Sequence, residues 1–243
     1  MTRFFFSMPE LITILLISWV AGLMALVGGF VAKFERTSES KLKQELTHGI
    51  VAFGGGILIA AVAFTLAPKG IEYLTTGELV IAFVAGGSLF CVIDYIISKR
   101  VGSRANLMAM LMDFVPESVA LGALFVESKS TGFLLAIFIA LQNLPEGFNS
   151  YRESIEGETS SKSILTVLFT ASFFGPIAAL AGYLFLSDSP VITAAITSFA
   201  SGGILYLIFQ DIAPQSKMNH RWLPALGAVL GFTLGMIGKQ LLG

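Results

Sequence analysis

Residues 132–147 read GFLLAIFIALQNLPEG. The stretch 132–140 offers no polar side chain, which is the signature of a helix facing lipid or the interior of a membrane bundle. Gln142, Asn143, Pro145 and Glu146 then follow within one and a half helical turns. A water-soluble core helix has no reason to combine these features. A membrane helix tolerates them only where its neighbours are protein or a polar cavity, because lipid cannot satisfy a carboxylate or the backbone groups that proline releases.

The rest of the chain is built the same way. Of 243 residues, 55% are hydrophobic and only 13% charged, and the mean hydropathy is +0.81. Soluble domains carry about 25% charged residues. Crossing a bilayer takes roughly 20 apolar residues. Runs of that length occupy about 11–34, 48–67, 79–98, 105–126, 132–151, 163–187, 190–213 and 223–242. These predict an all-α membrane protein, an eight-span helical bundle forming one integral membrane domain over residues 1–243. The first run exceeds the 7–15 residues of a secretory h-region, so it reads as a retained helix. The longest linker, 35–47, is charged and is a candidate surface helix.

Eleven of the 15 basic residues fall in the linkers after the first, third, fifth and seventh spans: Lys33, Arg36, Lys41, Lys43, Lys99, Arg100, Arg104, Arg152, Lys162, Lys217 and Arg221. Arg3, Lys69, Lys129 and Lys239 lie on the other side. Positive charge stays cytoplasmic, so both termini are expected outside, with the chain a multi-pass protein of the cell (inner) membrane. A net charge of −1 gives no reason to expect a nucleic-acid partner. The lipid bilayer is the expected surrounding, and a homodimer is one assembly open to it. The single cysteine, Cys91, excludes an intrachain disulfide.

An internal repeat connects the polar positions. MDFVPES (112–118) aligns without gaps with LQNLPEG (141–147), and weaker echoes, TLAPKG (65–70) and QDIAPQS (210–216), close the second and seventh spans. Proline inside a helix frees the carbonyl four residues earlier, here Met112 for Pro116 and Leu141 for Pro145. Asp113 and Glu117 stand at i and i+4 on one helix face. Gln142, Glu146 and Asn149 share a face of the fifth span, with Asn143 beside them. Two acids a turn apart in low dielectric repel unless a proton or a cation lies between them, and neither helix supplies a Lys or Arg mid-span. A divalent cation held by Asp113, Glu117 and Glu146, with freed carbonyls adding oxygen ligands, resolves the conflict. The alternative is that protonated carboxyls hydrogen-bond to one another and bind the helices together.

At these residues the chain resembles the ZIP family of divalent metal ion transporters. The resemblance runs through DFVPES, QNLPEG, GPIAALAGY (175–183) and ASGGILYLIFQDIAPQS (200–216). It implies eight spans, both termini outside, and a binuclear centre between the fourth, fifth and sixth spans. Carried over by position, the first metal falls to Asp113, Glu117 and Glu146, with Gln142 and Asn143 as further amide candidates. The second would need Phe114, Asn143 and Gly175, and a phenyl ring or a glycine cannot coordinate. Asp113 and Phe114 replace the family's His-Asn pair, Gly175 replaces a Glu before the sixth-span proline, and Lys69 replaces a Glu after the second-span proline. The linker SKRVGSRAN (98–106) lacks the histidines common in relatives.

An all-oxygen site suits harder cations than zinc does, so the expected substrate is a divalent metal ion, Zn²⁺, Mn²⁺ or Fe²⁺. His48 and His220 have no second histidine or cysteine nearby and read as surface residues rather than ligands. Asp211 reads as an accessory or exit ligand, or equally as an interfacial acid. Lys69 is expected to snorkel at the outer interface, where its charge slows cation entry. The glycines at 54–56, 86–87 and 202–203 read as helix-packing positions. The leading expectation is transport by alternating access, the bundle holding the fourth and fifth spans moving against the second, third, seventh and eighth. The alternative is a ZIP-like protein that has lost transport and acts as a metal-binding sensor or scaffold. Catalysis is not expected, because no mid-membrane histidine and no Ser–His or Ser–Lys pair is available for it.

Overall fold

The computed structural model describes residues 8–35, 40–100, 105–186, 188–219 and 221–242. His220, Arg36 and Arg104 lie outside them. Among the described residues the chain is helical, without strands. The helical segments are α1 (Met8–Phe34), α2 (Lys41–Tyr73), α3 (Thr76–Arg100), α4 (Ala105–Glu127), α5 (Lys129–Glu156), α6 (Ser161–Phe185), α7 (Pro190–Ser216) and α8 (Leu223–Leu242). Seven of them, α1–α3 and α5–α8, are long and apolar enough to cross a membrane over their described residues. That excess of apolar residues makes this an integral, multi-pass membrane protein. The charged linker's second half, from Lys41, turns out to be the first turns of α2, capped by the Ser40 hydroxyl accepting from the Lys43 N–H at 3.1 Å.

What distinguishes α4 is its charge. It carries Asp113, Glu117 and Glu127 along 23 residues. A helix with acids at mid-length cannot face lipid, and none of its residues from Met110 to Val126 is exposed. The other extreme is α3 and α8, which bury only 11% of their apolar stretch, against 61% for α2, α5 and α7. So α4 is central and α3 and α8 are peripheral.

Four pairs of parallel helices make up the bundle, and each pair is joined by glycine. On α4 and α6, a Cβ at Gly122 would overlap the Ala179 carbonyl oxygen, and one at Gly182 would overlap that of Val119. The same reciprocal contact joins α1 to α5 (Gly28 on Leu144, Gly147 on Ala25), α2 to α8 (Gly56 on Ala228, Gly231 on Phe53) and α3 to α7 (Gly86 on Phe199, Gly202 on Phe83). With no side chain between them, the two backbones meet directly, which is how helices gain contact where lipid is as apolar as leucine. The packing role expected for these glycines is therefore observed. Within Gly54–Gly56, Gly54 meets Pro145, Gly55 meets Ile212, and Gly56 meets α8.

The pairs associate into two groups, α1/α5 with α4/α6 and α2/α8 with α3/α7. They meet chiefly along α2 against α5 and α4 against α7.

The prolines act in two ways. Pro116 and Pro145 sit inside continuous helices. The echoes in α2 and α7 instead pass through a π-helical turn, Val62–Leu66 and Ile208–Ile212, that ends just before Ala67-Pro68 and Ala213-Pro214. The Ala67 N–H donates to the Val62 carbonyl and the Ala213 N–H to that of Ile208, so the two helices share one backbone device. The sixth span, expected as one run, breaks into Ser161–Ala171 and Phe174–Phe185. Pro176 cannot donate to the Ser172 carbonyl, and Trp19 Nε1 donates to the Ser172 hydroxyl from α1 at 3.2 Å.

Gly182→Ala should force α4 and α6 apart and lower stability by about 1–3 kcal/mol, the usual scale of overpacking. Gly77→Ala, where a Cβ would meet nothing within 4 Å, should be neutral or stabilise by up to about 1 kcal/mol through helix propensity. Thermal unfolding of the two variants in detergent checks the contrast.

Candidate metal centre

Between the two helix groups lies a cavity. From α4 and α5 it is lined by Met110, Asp113, Pro145, Glu146, Asn149 and Ser150, and from α2 and α7 by Val51, Gly54, Gly55, Leu207, Asp211, Ile212 and Gln215. It is therefore built from the two proline-kinked helices and the two helices with π-helical turns. Gly54 and Gly55 leave room on its α2 side, where Pro145 approaches to 3.1 Å and Ile212 to 2.8 Å of a notional Cβ.

Of the residues expected from sequence, Asp113, Glu146 and Asp211 line this space. Asp113 is 3% exposed and Glu117 fully buried. Glu146 is half-buried as a residue, but both of its carboxylate oxygens are shielded from solvent. Glu117, Gln142 and Asn143 do not line the cavity. Gln142 Nε2 donates to Glu117 Oε2 at 2.5 Å, joining α5 to α4. Asn143 Nδ2 donates to the Ala21 carbonyl at 3.0 Å, which orients it from α1.

What sets the region apart is a shortage of donors. Asp113 Oδ1, Glu117 Oε1, Gln142 Oε1, Asn143 Oδ1, both oxygens of Glu146 and Asp211 Oδ2 are buried without a hydrogen-bond partner. Every one is an acceptor. Buried acceptors left unpaired cost about 1–3 kcal/mol each, more when charged. Asp113, Glu117 and Glu146 are also close enough to repel one another, and Asp211 repels Asp113. The chemistry of such a set is the capture of a cation. In this arrangement, among the described residues, no three His, Cys, Asp or Glu side chains close around a single point.

Beside the acceptors, the ring of Phe114 packs against two glycines. Its Cζ lies 2.6 Å from where a Cβ on Gly175 would be and 2.7 Å from one on Gly22. The ring is thus cradled by two glycines, on α6 and α1, and the departures at 114 and 175 are one packing arrangement rather than two independent losses.

Several participants were not legible beforehand. Gln215 accepts from Asn149 Nδ2 at 2.9 Å, and its carbonyl lies 2.5 Å from His48 Nδ1, so His48 is held between α2 and α7 rather than loose at the surface. Asn149 also donates to Glu153 at 3.2 Å. Asn149 was marked by its shared face with Glu146. Gln215 was marked only as the residue after proline in the weak echo QDIAPQS, which gives no sign of its partners Asn149 and His48. Lys69 does not snorkel freely: it pairs with Glu127 of α4.

A family model described as "ZIP Zinc transporter" matches residues 94–239. Across nearly its full length the chain is similar to a curated relative, "Zinc transporter ZupT" of Akkermansia muciniphila. The two are 22% identical over 94% of this chain and 97% of the relative.

Glu146→Gln keeps the side-chain volume, removes one charge from the repelling set and adds a donor among unpaired acceptors. In excess chelator it should raise the melting temperature, by about 2–4 °C for each kcal/mol of relieved repulsion. A lower melting temperature would show that Glu146 already has a stabilising partner.

Proposed function

Because the chain belongs to the ZIP zinc transporter family, we propose that it carries one divalent metal ion per cycle across the bacterial inner membrane. The name of the Akkermansia relative supports zinc as one substrate, and the oxygen-only donor set supports Mn²⁺ or Fe²⁺ beside it. The observation that carries this reading is that the buried, unpaired acceptors of Asp113, Glu146 and Asp211 face a cavity between two helix groups, with Glu117 one turn from Asp113. In this reading Asp113, Glu117 and Glu146 hold the ion, drawn together by small side-chain rotations. Gln142 and Asn143 orient the site, and Asp211 receives the ion on its way out. The ion relieves the mutual repulsion that the empty site must tolerate.

Transport follows from where the site lies. The group α1, α4, α5 and α6 carries Asp113, Glu117 and Glu146, while α2, α3, α7 and α8 carry the opposing wall with Asp211. Alternating access is then a movement of the first group against the second, all eight helices spanning the bilayer as one unit with both termini outside. Phe114 restricts the centre to a single ion.

A second reading has one observation in its favour. Loss of the second-metal ligands, with Phe114 packed in their place, fits a protein that binds metal as a sensor or scaffold without moving it. Reconstituted into liposomes, the purified protein should take up Mn²⁺ or Zn²⁺, with one ion bound per chain at equilibrium. Binding without uptake would support the scaffold, and two ions between α4, α5 and α6 would contradict the assignment of Phe114.

Asp113→His exchanges an oxygen donor for a nitrogen. Selectivity should move toward Zn²⁺ over Mn²⁺ by about tenfold, equivalent to about 1.4 kcal/mol, while Asp113→Ala should weaken binding of both ions. Competition binding measures the two. If Asp113→Asn leaves affinity and selectivity unchanged, Asp113 is not a ligand.

A further inference from the structure

At the end of the bundle away from Asn149 and Gln215, the two helix groups are joined by charge. Lys69, near the end of α2, pairs with Glu127, the last residue of α4. From its own helix Lys69 is also faced by Glu72 at 3.8 Å and by the ring of Tyr73 at 5.3 Å. The Tyr73 hydroxyl lies 3.5 Å from the same Glu127 oxygen. The other ion pair at this end, Lys129 with Glu10 at 2.6 Å, ties α5 to α1 within one group. Lys69–Glu127 is of a different kind, because it crosses from one group to the other.

Two buried hydroxyls lie between this pair and the cavity. Ser198 of α7 is fully buried, and its Oγ would overlap a Cβ at Gly70, next to Lys69. Ser118 of α4 adjoins Glu117 and is also fully buried. Neither hydroxyl oxygen has a hydrogen-bond partner. A hydroxyl buried without a partner is disfavoured in the conformation that buries it. Ser198 packs on α2 within its own group, so it is Ser118 that would gain water if α4 and α7 separated at this end.

We propose that Lys69–Glu127 is an ionic latch that closes this end of the seam between the two groups while the cavity at the other end is formed. A half-exposed ion pair contributes little net stability, as a contact that opens and recloses each cycle must. Its strength biases which end is shut. The replacement of the family's acid by Lys69 is then not a barrier to cations in the path but a tether across it. This inference rests on the two-group movement proposed above, and it is tested without any measurement of transport.

The test uses the full chain in lipid nanodiscs, with Cys91→Ser and two pairs of spin labels read by pulsed electron resonance. One pair, Gly77→Cys with Ser130→Cys, spans the groups at the Lys69 end. The second, Leu46→Cys with Glu156→Cys, spans them at the other end. Lys69→Gln and Glu127→Gln should each raise the long-distance population of the first pair by roughly two- to fivefold, the range open to an exposed ion pair. They should shorten the second pair in step, and Lys69→Glu with Glu127→Lys should restore both distributions. Lengthening of the first pair with no change in the second would mean local fraying and overturn the latch, as would unchanged distributions in both single variants. If the latch behaves as stated but liposomes show no uptake, the transport reading fails and the latch stands.

Discussion

A backbone carbonyl of one helix resting on a glycine of another is the contact on which this bundle depends. Inside a bilayer, helices gain no hydrophobic energy by leaving lipid for one another, so association rests on close packing. The reciprocal contacts of Gly122 and Gly182, or of Gly28 and Gly147, bring paired backbones together with nothing between them. Such pairs resist separation. Between the two groups the contacts are of another kind: Pro145 on Gly54, hydrogen bonds between side chains, and ion pairs at either end, Lys69–Glu127 and Lys43–Glu35. The molecule is stiff within its groups and looser between them. The cavity and its acids lie along the looser seam.

That placement determines what the acids can do. Were Asp113, Glu117 and Glu146 buried inside one glycine-joined pair, their repulsion would weaken the fold and serve no purpose. Placed against the seam, the same repulsion favours whatever brings positive charge to them. The amides of Gln142 and Asn143 are anchored on the neighbouring Glu117 and on the Ala21 carbonyl. Much of the site's shape is therefore held by hydrogen bonds from within one group, while Asp211 faces it from the other.

The membrane class, the positions of the helices and the acids of α4 and α5 were legible in the sequence because each is a local signal. An apolar run of given length can do little but span a bilayer, and an acid in its middle must find protein. The pairing Pro116-Glu117 and Pro145-Glu146 was visible as a repeat for the same reason. Features that depend on two distant segments were not legible. Gly122 and Ala179 are separated by the last turn of α4, all of α5 and most of α6, and no periodicity announces their contact. Pro68 and Pro214 looked like weak copies of the α4 and α5 motif, yet the backbone treats them differently, with π-helical turns. The break in α6 arises from a proline and a tryptophan on another helix acting together. Lys69 was read from its own neighbourhood in the sequence, and Glu127 lies 58 residues further along the chain.

Phe114, Gly22 and Gly175 also constrain one another as sites of substitution. With the ring in place, any side chain at 175 or 22 collides with Cζ, so an acid cannot return to position 175 while Phe114 stands. A smaller residue at 114 removes only the ring contact: a Cβ at 175 would still lie 2.8 Å from the Ser18 carbonyl oxygen, and one at 22 would lie 3.0 Å from the Ser172 backbone. Two things must therefore yield before a side chain fits at 175: the ring, and the close approach of α1 to α6. A substitution at 114 alone leaves a hole beside Asp113, and a side chain at 175 enters that hole only if α1 and α6 also move apart.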